Sequence, residues 1–286
     1  MTIRRLLRSE NTIYLLLLPS LIGLGVFYTV PFGISVYYAV IDNAVSRHFV
    51  GLNNLTATWN NQAFRLAVRN TVIFMGSSIP LNMTLALGLA LVFNPMRAAV
   101  KRVLQVFFLL PLVIPSGSVV FFWEAVININ GMFNRVFFPH MPVDWLNSSR
   151  AMVFIVFIFI WKNVGFNMIL FQAGLDFIPK DYYEFAAIEG AGRIKQFRVV
   201  TLTYLGPTFL LVFTLSVVNS FKVFREIYLL TGTHPNSSIY LLQHFLNNQF
   251  FAMNYQRMAS ASFYIFSFIF ILVFILYKFQ QKQTYV

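Results

Sequence analysis

The sequence predicts an all-α integral membrane protein with six transmembrane helices, on three observations. Of its 286 residues, 58% are hydrophobic and only 10% charged, against about 25% charged in ordinary soluble domains. Its mean hydropathy is +0.69. Its apolar residues gather into six runs, each close to the roughly 20 residues that a helix needs to cross a bilayer. A water-soluble chain of this length has no interior large enough to hide so much apolar side chain.

The first run, 13–40, follows Arg4, Arg5 and Arg8 and so imitates a signal peptide. It is far longer than a signal's apolar core of about 7–15 residues and ends in no small-residue cleavage pattern, so it is expected to be a retained span. The remaining runs are 67–93, 103–126, 151–171, 204–221 and 259–277. Prolines interrupt several of them: Pro19 and Pro31, Pro80, Pro111 and Pro115, and Pro207. Spans tolerate proline where neighbouring helices or polar side chains satisfy the freed carbonyls, so kinks in a packed bundle are expected. The connections 50–65 and 127–150 are polar, aromatic and asparagine-rich, and are expected to be structured. A short surface helix is expected within 241–255. No low-complexity tract, linker or repeat between the halves is visible, and one membrane domain is expected to cover 1–286.

The formal charge of +12 would point to nucleic acid in a soluble protein. In a membrane chain, lysine and arginine collect in cytoplasmic loops, and no nucleic-acid partner is expected. With a cytoplasmic amino terminus, the inside segments hold Arg4, Arg5, Arg8, Arg97, Lys101, Arg102, Lys180, Arg193, Lys195, Arg198, Lys278 and Lys282. The outside segments hold Arg47, Arg65, Arg69, Arg135, Arg150, Arg225 and Arg257, with Lys222 near an outer end. The bias places both termini and the connection 176–203 inside.

Zero cysteines exclude disulfides, thiolate catalysis and cysteine-bound metal. No lysine follows a glycine, so the phosphate loop GxxxxGK[ST] is absent. His48, His140, His234 and His244 fall outside the runs without ligand spacing, and no metal is expected. Of the nine acidic residues, only Glu124 is expected within a run. That counts against the alternative function, an ion-coupled secondary transporter of a polar solute, because such carriers place carboxylates in mid-membrane and show internal repeats. No Gly-x-Ser-x-Gly turn, His/Glu metal pair or Asp/Asp pair supports an intramembrane enzyme.

The segment 181–205, DYYEFAAIEGAGRIKQFRVVTLTYL, carries Asp181, Glu184, Glu189, Arg193, Lys195 and Arg198 between two apolar runs. Asp181 before Tyr182 suits a helix start, and Gly190 and Gly192 allow the chain to turn back. A short charged helix at a membrane surface is a docking element for a soluble partner; a loop kept polar merely to stay in water is the alternative.

This segment resembles the EAA loop of ABC-importer permeases, pattern E-A-A-x3-G-x9-I-x-L-P. Glu184, Ala186, Gly190 and Leu202 match it, while Phe185 replaces the second-position alanine, Val200 replaces isoleucine and Thr203 stands where proline is usual. Almost end to end, the chain is similar to the first permease subunit of carbohydrate importers of the maltose and glycerol-phosphate type. The similarity runs through LLLLPS at 15–20, Phe49-Val50-Gly51-Leu52 with Asn54, Arg69-Asn70-Thr71, FFLLP at 107–111 and Asp144-Trp145-Leu146. It continues through Trp161-Lys162, Gly165-Phe166-Asn167-Met168, Gly174-Leu175, Ile178-Pro179-Lys180 and SFKVFREIYLLTG at 220–232, with Pro235 beyond.

The resemblance implies the type I ABC-importer permease fold, a bacterial inner or plasma membrane location, and no enzymatic activity in this chain. It implies no cofactor here, ATP and Mg being used by a partner. The implied partners are a second permease of similar fold, two copies of a cytoplasmic ATPase, an extracytoplasmic solute-binding protein and a carbohydrate substrate. Glu184, Phe185, Ala186, Ala187 and Gly190 would form the ATPase contact, with Glu184 pairing a basic group, Ala186 permitting close packing and Gly190 supplying the turn. Sugars need hydrogen-bond partners and flat aromatic faces, which makes Trp161, Asn163, Asn167, Asn219, Lys222 and Trp123 pathway candidates. For each, an interhelical hydrogen bond worth about 0.6–2 kcal/mol is the competing role. Lys162 is expected to neutralise Glu124 or to reach an interface.

Overall fold

The computed structural model describes residues 10–284; the cluster Arg4, Arg5 and Arg8 lies outside them. Among the described residues, the only β pairing is an isolated antiparallel bridge between Ile41 and Phe49. Five helices among the described residues are long and apolar enough to cross a membrane, or six if one bent pair counts as a span. The chain divides into two compact units, Met1–Phe64 with Asn248–Ile269, and Arg65–Asn247 with Phe270–Val286.

In the first unit, α1 (Glu10–Leu24) carries Pro19 and passes through a π turn, Gly25–Thr29, into α2 (Val30–Val40). Pro31 falls in the first turn of α2. A third helix, α3 (Asn53–Trp59), is tied back by Asn54, whose side-chain amide donates to the carbonyls of Ala39 at 3.1 Å and Ile41 at 2.7 Å. These are carbonyls that the end of α2 leaves without helical partners. Tyr264 donates its hydroxyl to the Leu55 carbonyl at 3.1 Å and packs against Trp59 and Phe64. In the intervening loop, Asp42 accepts from the Ser46 hydroxyl and from the backbone N–H groups of Asn43 and His48. The Ser46 bond foremost holds its carboxyl below the usual range.

The second unit holds most of α4 (Gln62–Phe93), then α5 (Ala98–Val113), α6 (Ser116–Ile127), α7 (Met132–Phe137) and α8 (Ala151–Asp176). After these come α9 (Lys180–Ile188), α10 (Arg193–Gln196), α11 (Gly206–Lys222), α12 (Phe224–Thr231) and α13 (Leu242–Phe251), the last crossing into the first unit. The end of α14 (Tyr255–Thr284) completes the set. The most buried of its candidate spans is α8, whose buried side chains include Ile155, Phe159, Met168 and Phe171. Gly165 lets α5 approach α8, since a Cβ there would overlap the Phe108 backbone carbonyl.

Two expectations are corrected here. The run 103–126, expected as one span kinked at its prolines, is two helices, Ala98–Val113 and Ser116–Phe137, bent by 93°. Pro115 has no N–H to continue the helix and drives Ile114 out of the helical region, and Ile114 is extended, with ψ 131. The run 204–221 continues past its expected end, because α11 and α12 together form the candidate span Gly206–Thr231. Glu226 therefore lies within a candidate span, contrary to the expectation that Glu124 alone does.

The connection 127–150 is organised by Asn134, which is buried. Its amide donates to the carbonyls of Asn128, Ile129 and Val143, and its oxygen accepts from Val143 N and Trp145 Nε1. On α13, His244 is fully buried. Its Nδ1 accepts from the Leu241 N–H at 3.2 Å, its ring meets Phe224, and burial pushes its pKa down to about 4.

Candidate functional site

Two places in the second unit bear on function. The first is a cavity of about 320 Å³ where α5 breaks from α6 and α11 from α12, lined by Ile114, Pro115 and Ser116, by Lys162 and Asn163 of α8, and by Asn219, Lys222, Arg225 and Glu226. Helix breaks free backbone groups, and in a span such irregular backbone is tolerated where protein buries it or where it borders a cavity. Lys162, expected to neutralise Glu124 or to reach an interface, pairs instead with the carboxylate of Glu226. Glu226 Oε1 also accepts from the Ser116 hydroxyl at 2.9 Å, and Lys162 Nζ lies 3.2 Å from that same hydroxyl oxygen. Three helices thus meet in one charged knot, with Glu226 buried.

Of the six pathway candidates, the structure brings Asn163, Asn219 and Lys222 to this cavity. Asn163 donates to the Phe159 carbonyl of its own helix. Asn167 lies elsewhere, despite its four-residue spacing from Asn163. Its amide donates to Asn82 Oδ1 at 2.7 Å and to the Ser216 hydroxyl at 3.0 Å, tying α8 to α4 and α11. Trp123 and Trp161 pack edge to face with centroids 5.3 Å apart, next to Phe122, Phe154 and Phe157. They form an aromatic cluster separate from the cavity lining. Ser116, Arg225 and Glu226 belong to the cavity and were missed by sequence reasoning. Arg225 stands three residues beyond the candidate Lys222, a spacing that could have drawn attention to it.

The second place is the segment after α8. Asp181 does not cap its helix: α9 begins earlier, after Pro179, whose extended backbone (ψ 137) starts it, and Asp181 sits within the first turn, where an acid still suits the helix dipole. Gly190 stops α9 with φ +76. The Ala191 N–H then reaches the Ala186 carbonyl at 2.8 Å, and the Gly190 N–H reaches that of Ala187 at 3.0 Å, the paired bonds of a Schellman stop. Tyr183 bonds Thr201 at 2.9 Å, and half-buried Ala186 packs on the chain's own core with Val200. Glu184, Phe185 and Ala187 are exposed. Phe185 is 66% and Ile188 82% exposed, both outside every candidate span. The structure therefore splits the expected contact set: one face grips the chain itself, and the other presents apolar side chains outward.

The family model described as "Binding-protein-dependent transport system inner membrane component" matches residues 87–284. The trehalose/maltose transport system permease protein MalF of Thermococcus litoralis is 33% identical over 239 residues, which cover 81% of this chain and 80% of that protein. Among solved structures, a bacterial ABC transporter involved in the import of the acidic polysaccharide alginate superposes with a TM-score of 0.81 over 98% of each chain, at 19% identity. The bacterial alginate ABC transporter in complex with an alginate pentasaccharide-bound periplasmic protein gives 0.79 over 96% of this chain and 94% of that one, also at 19% identity. At these identities the structural likeness is one of fold.

Proposed function

This chain belongs to the family of binding-protein-dependent transport system inner membrane components, and from that premise we propose that it is a permease subunit of an ATP-driven importer of carbohydrate. It forms half of the translocation path and catalyses no covalent step. Its partners are a second permease of similar fold, two copies of a cytoplasmic ATPase that binds ATP and Mg, and an extracytoplasmic solute-binding protein. A carbohydrate substrate is supported by the trehalose/maltose permease among its relatives. A binding-protein partner is supported by the periplasmic protein held in the alginate complex. Both termini and α9 face the cytoplasm, in keeping with the basic residues Arg97, Lys101, Arg102, Lys180, Arg193, Lys195 and Arg198 in the segments on that side.

The observation that carries the coupling role is the outward face of α9. Exposed phenylalanine and isoleucine beside an exposed glutamate, on a helix braced at both ends and lying outside the spans, make a surface for a soluble protein rather than for lipid. ATP-driven closure of the ATPase pair acts on this helix, and the Schellman stop and the Tyr183–Thr201 bond pass the movement to α11. The test is ATP-driven uptake in proteoliposomes containing all the subunits, with Glu184→Ala and Phe185→Ala introduced here. Both variants should insert in the membrane and lose uptake and stimulated ATP hydrolysis. Normal transport rates in both would end the coupling assignment. Uptake that persists with vanadate would favour a gradient-driven carrier instead.

A further inference from the structure

Four ionised side chains border the cavity at the helix breaks, and their charges do not balance: Lys162, Lys222 and Arg225 stand against Glu226. The carboxylate is already engaged, because Glu226 pairs with Lys162 and accepts from Ser116. Lys222 and Arg225 make no ion pair among the described residues. Both are exposed, so their charge reaches the cavity mouth instead of being neutralised within the chain. Behind them lie neutral hydrogen-bonding groups, Asn163 and Asn219. At about 320 Å³ the space is within the roughly 300–1,000 Å³ of small-ligand pockets.

A neutral sugar needs hydroxyl partners and no excess charge. Two uncompensated cations at the mouth of a partly apolar cavity concentrate negative solutes. A guanidinium adds a planar fork that matches a carboxylate, sulfate or phosphate. We propose that this cavity is a binding site for the anionic group of an acidic saccharide, with Arg225 and Lys222 as its counter-ions and the Lys162–Glu226 pair as a neutral wall. The inference rests on the carbohydrate-importer reading and narrows its substrate class. A phospholipid headgroup offers the same anionic chemistry, and the test separates the two sources.

The assembled transporter, in nanodiscs of phosphatidylcholine, is titrated calorimetrically with trigalacturonate, with its fully methyl-esterified form and with maltotriose. Trigalacturonate should bind at least 10-fold more tightly than its neutral ester. Raising the salt should shrink that advantage. Lys222→Gln/Arg225→Gln should abolish it, either single variant should reduce it, and Arg225→Lys, which keeps the charge, should preserve most of it. Equal affinity for acid and ester, or binding of maltotriose alone, overturns the anionic site and leaves the carbohydrate reading standing. Binding of none of the three saccharides counts against both. Loss of the acid's advantage in discs containing phosphatidylglycerol would show a lipid headgroup in the site and overturn the saccharide assignment.

Discussion

Neutralising one member of the Lys162–Glu226 pair should destabilise the fold unequally, depending on which charge is left behind. Their side chains are 17% and 5% exposed respectively, so neither charge is well hydrated, and breaking such a pair costs about 3–5 kcal/mol. Glu226→Gln leaves an ammonium bordering the cavity, where water can reach it, and an amide that still accepts from Ser116. The loss should be near ~2–3 kcal/mol. Lys162→Met leaves a carboxylate at 5% exposure with one hydroxyl donor, and should reach the upper end, ~4–5 kcal/mol. The double variant removes both charges, so it should be less destabilised than the sum of the two single variants by at least ~1.5 kcal/mol. Denaturant unfolding in a single detergent, read by tryptophan fluorescence, gives all four corners of the cycle. Additive single effects, or a larger loss for Glu226→Gln than for Lys162→Met, would refute the burial argument.

Three further outcomes follow from other contacts. Gly165→Ala forces a methyl group into the rigid Phe108 backbone and should cost ~3 kcal/mol, whereas Gly174→Ala meets mainly the rotatable side chain of Thr208 and should cost ~1 kcal/mol; paired melting curves give the order. Asn82→Leu strips Asn167 of one acceptor while Ser216 remains, a loss of ~1–2 kcal/mol in the same unfolding assay. His244 has a folded pKa of about 4 against its ordinary 6.5, so on acidification the unfolded chain takes up the proton first. Stability is therefore full above about pH 6.5 and falls by up to ~3 kcal/mol as pH drops towards 4. His244→Asn, which keeps an acceptor near the Leu241 N–H, should flatten that slope in melting curves taken between pH 7.5 and 4.5.

How much of this was legible depended on whether the cause was local. The apolar runs of α4, α8 and α14 announced themselves by composition, and the stop of α9 was visible in Gly190, because only a residue without Cβ takes φ +76 without strain. Pro111 and Pro115 predicted a kink. They did not predict a 93° turn, because the angle depends on where α6 finds packing after Ile114 leaves the helix. Glu226 was placed outside the membrane because the apolar run ends at Phe221. The chain resumes a helix at Phe224, with Val223 alone between it and Lys222, and no periodicity bridges that break. The partner of Lys162 stood 64 residues away, and nothing in the spacing distinguishes that carboxylate from Glu124. Asn163 and Asn167 share a helical face in the sequence pattern, yet Asn163 donates to the Phe159 carbonyl of its own helix while Asn167 bonds Asn82 of α4 and Ser216 of α11.

The cavity and the ion pair have one origin. Ile114–Pro115 breaks one apolar stretch and Val223 breaks another, and at both breaks a polar side chain follows, Ser116 and Glu226, bound to the same lysine of unbroken α8. A broken helix inside a bilayer is stable only if its freed groups and re-aimed side chains find partners within the protein. A single ammonium can satisfy a hydroxyl oxygen and a carboxylate together, whereas separate neutral contacts would leave Glu226 charged and unpaired. Lys162 therefore joins the segment that follows the 93° turn to the one that follows Val223, and the space between them opens towards Lys222 and Arg225. If that is right, Lys162→Met should disturb both breaks at once, raising amide hydrogen exchange in 112–118 and in 220–228 together. Exchange altered at one break only would mean that the two breaks are held independently.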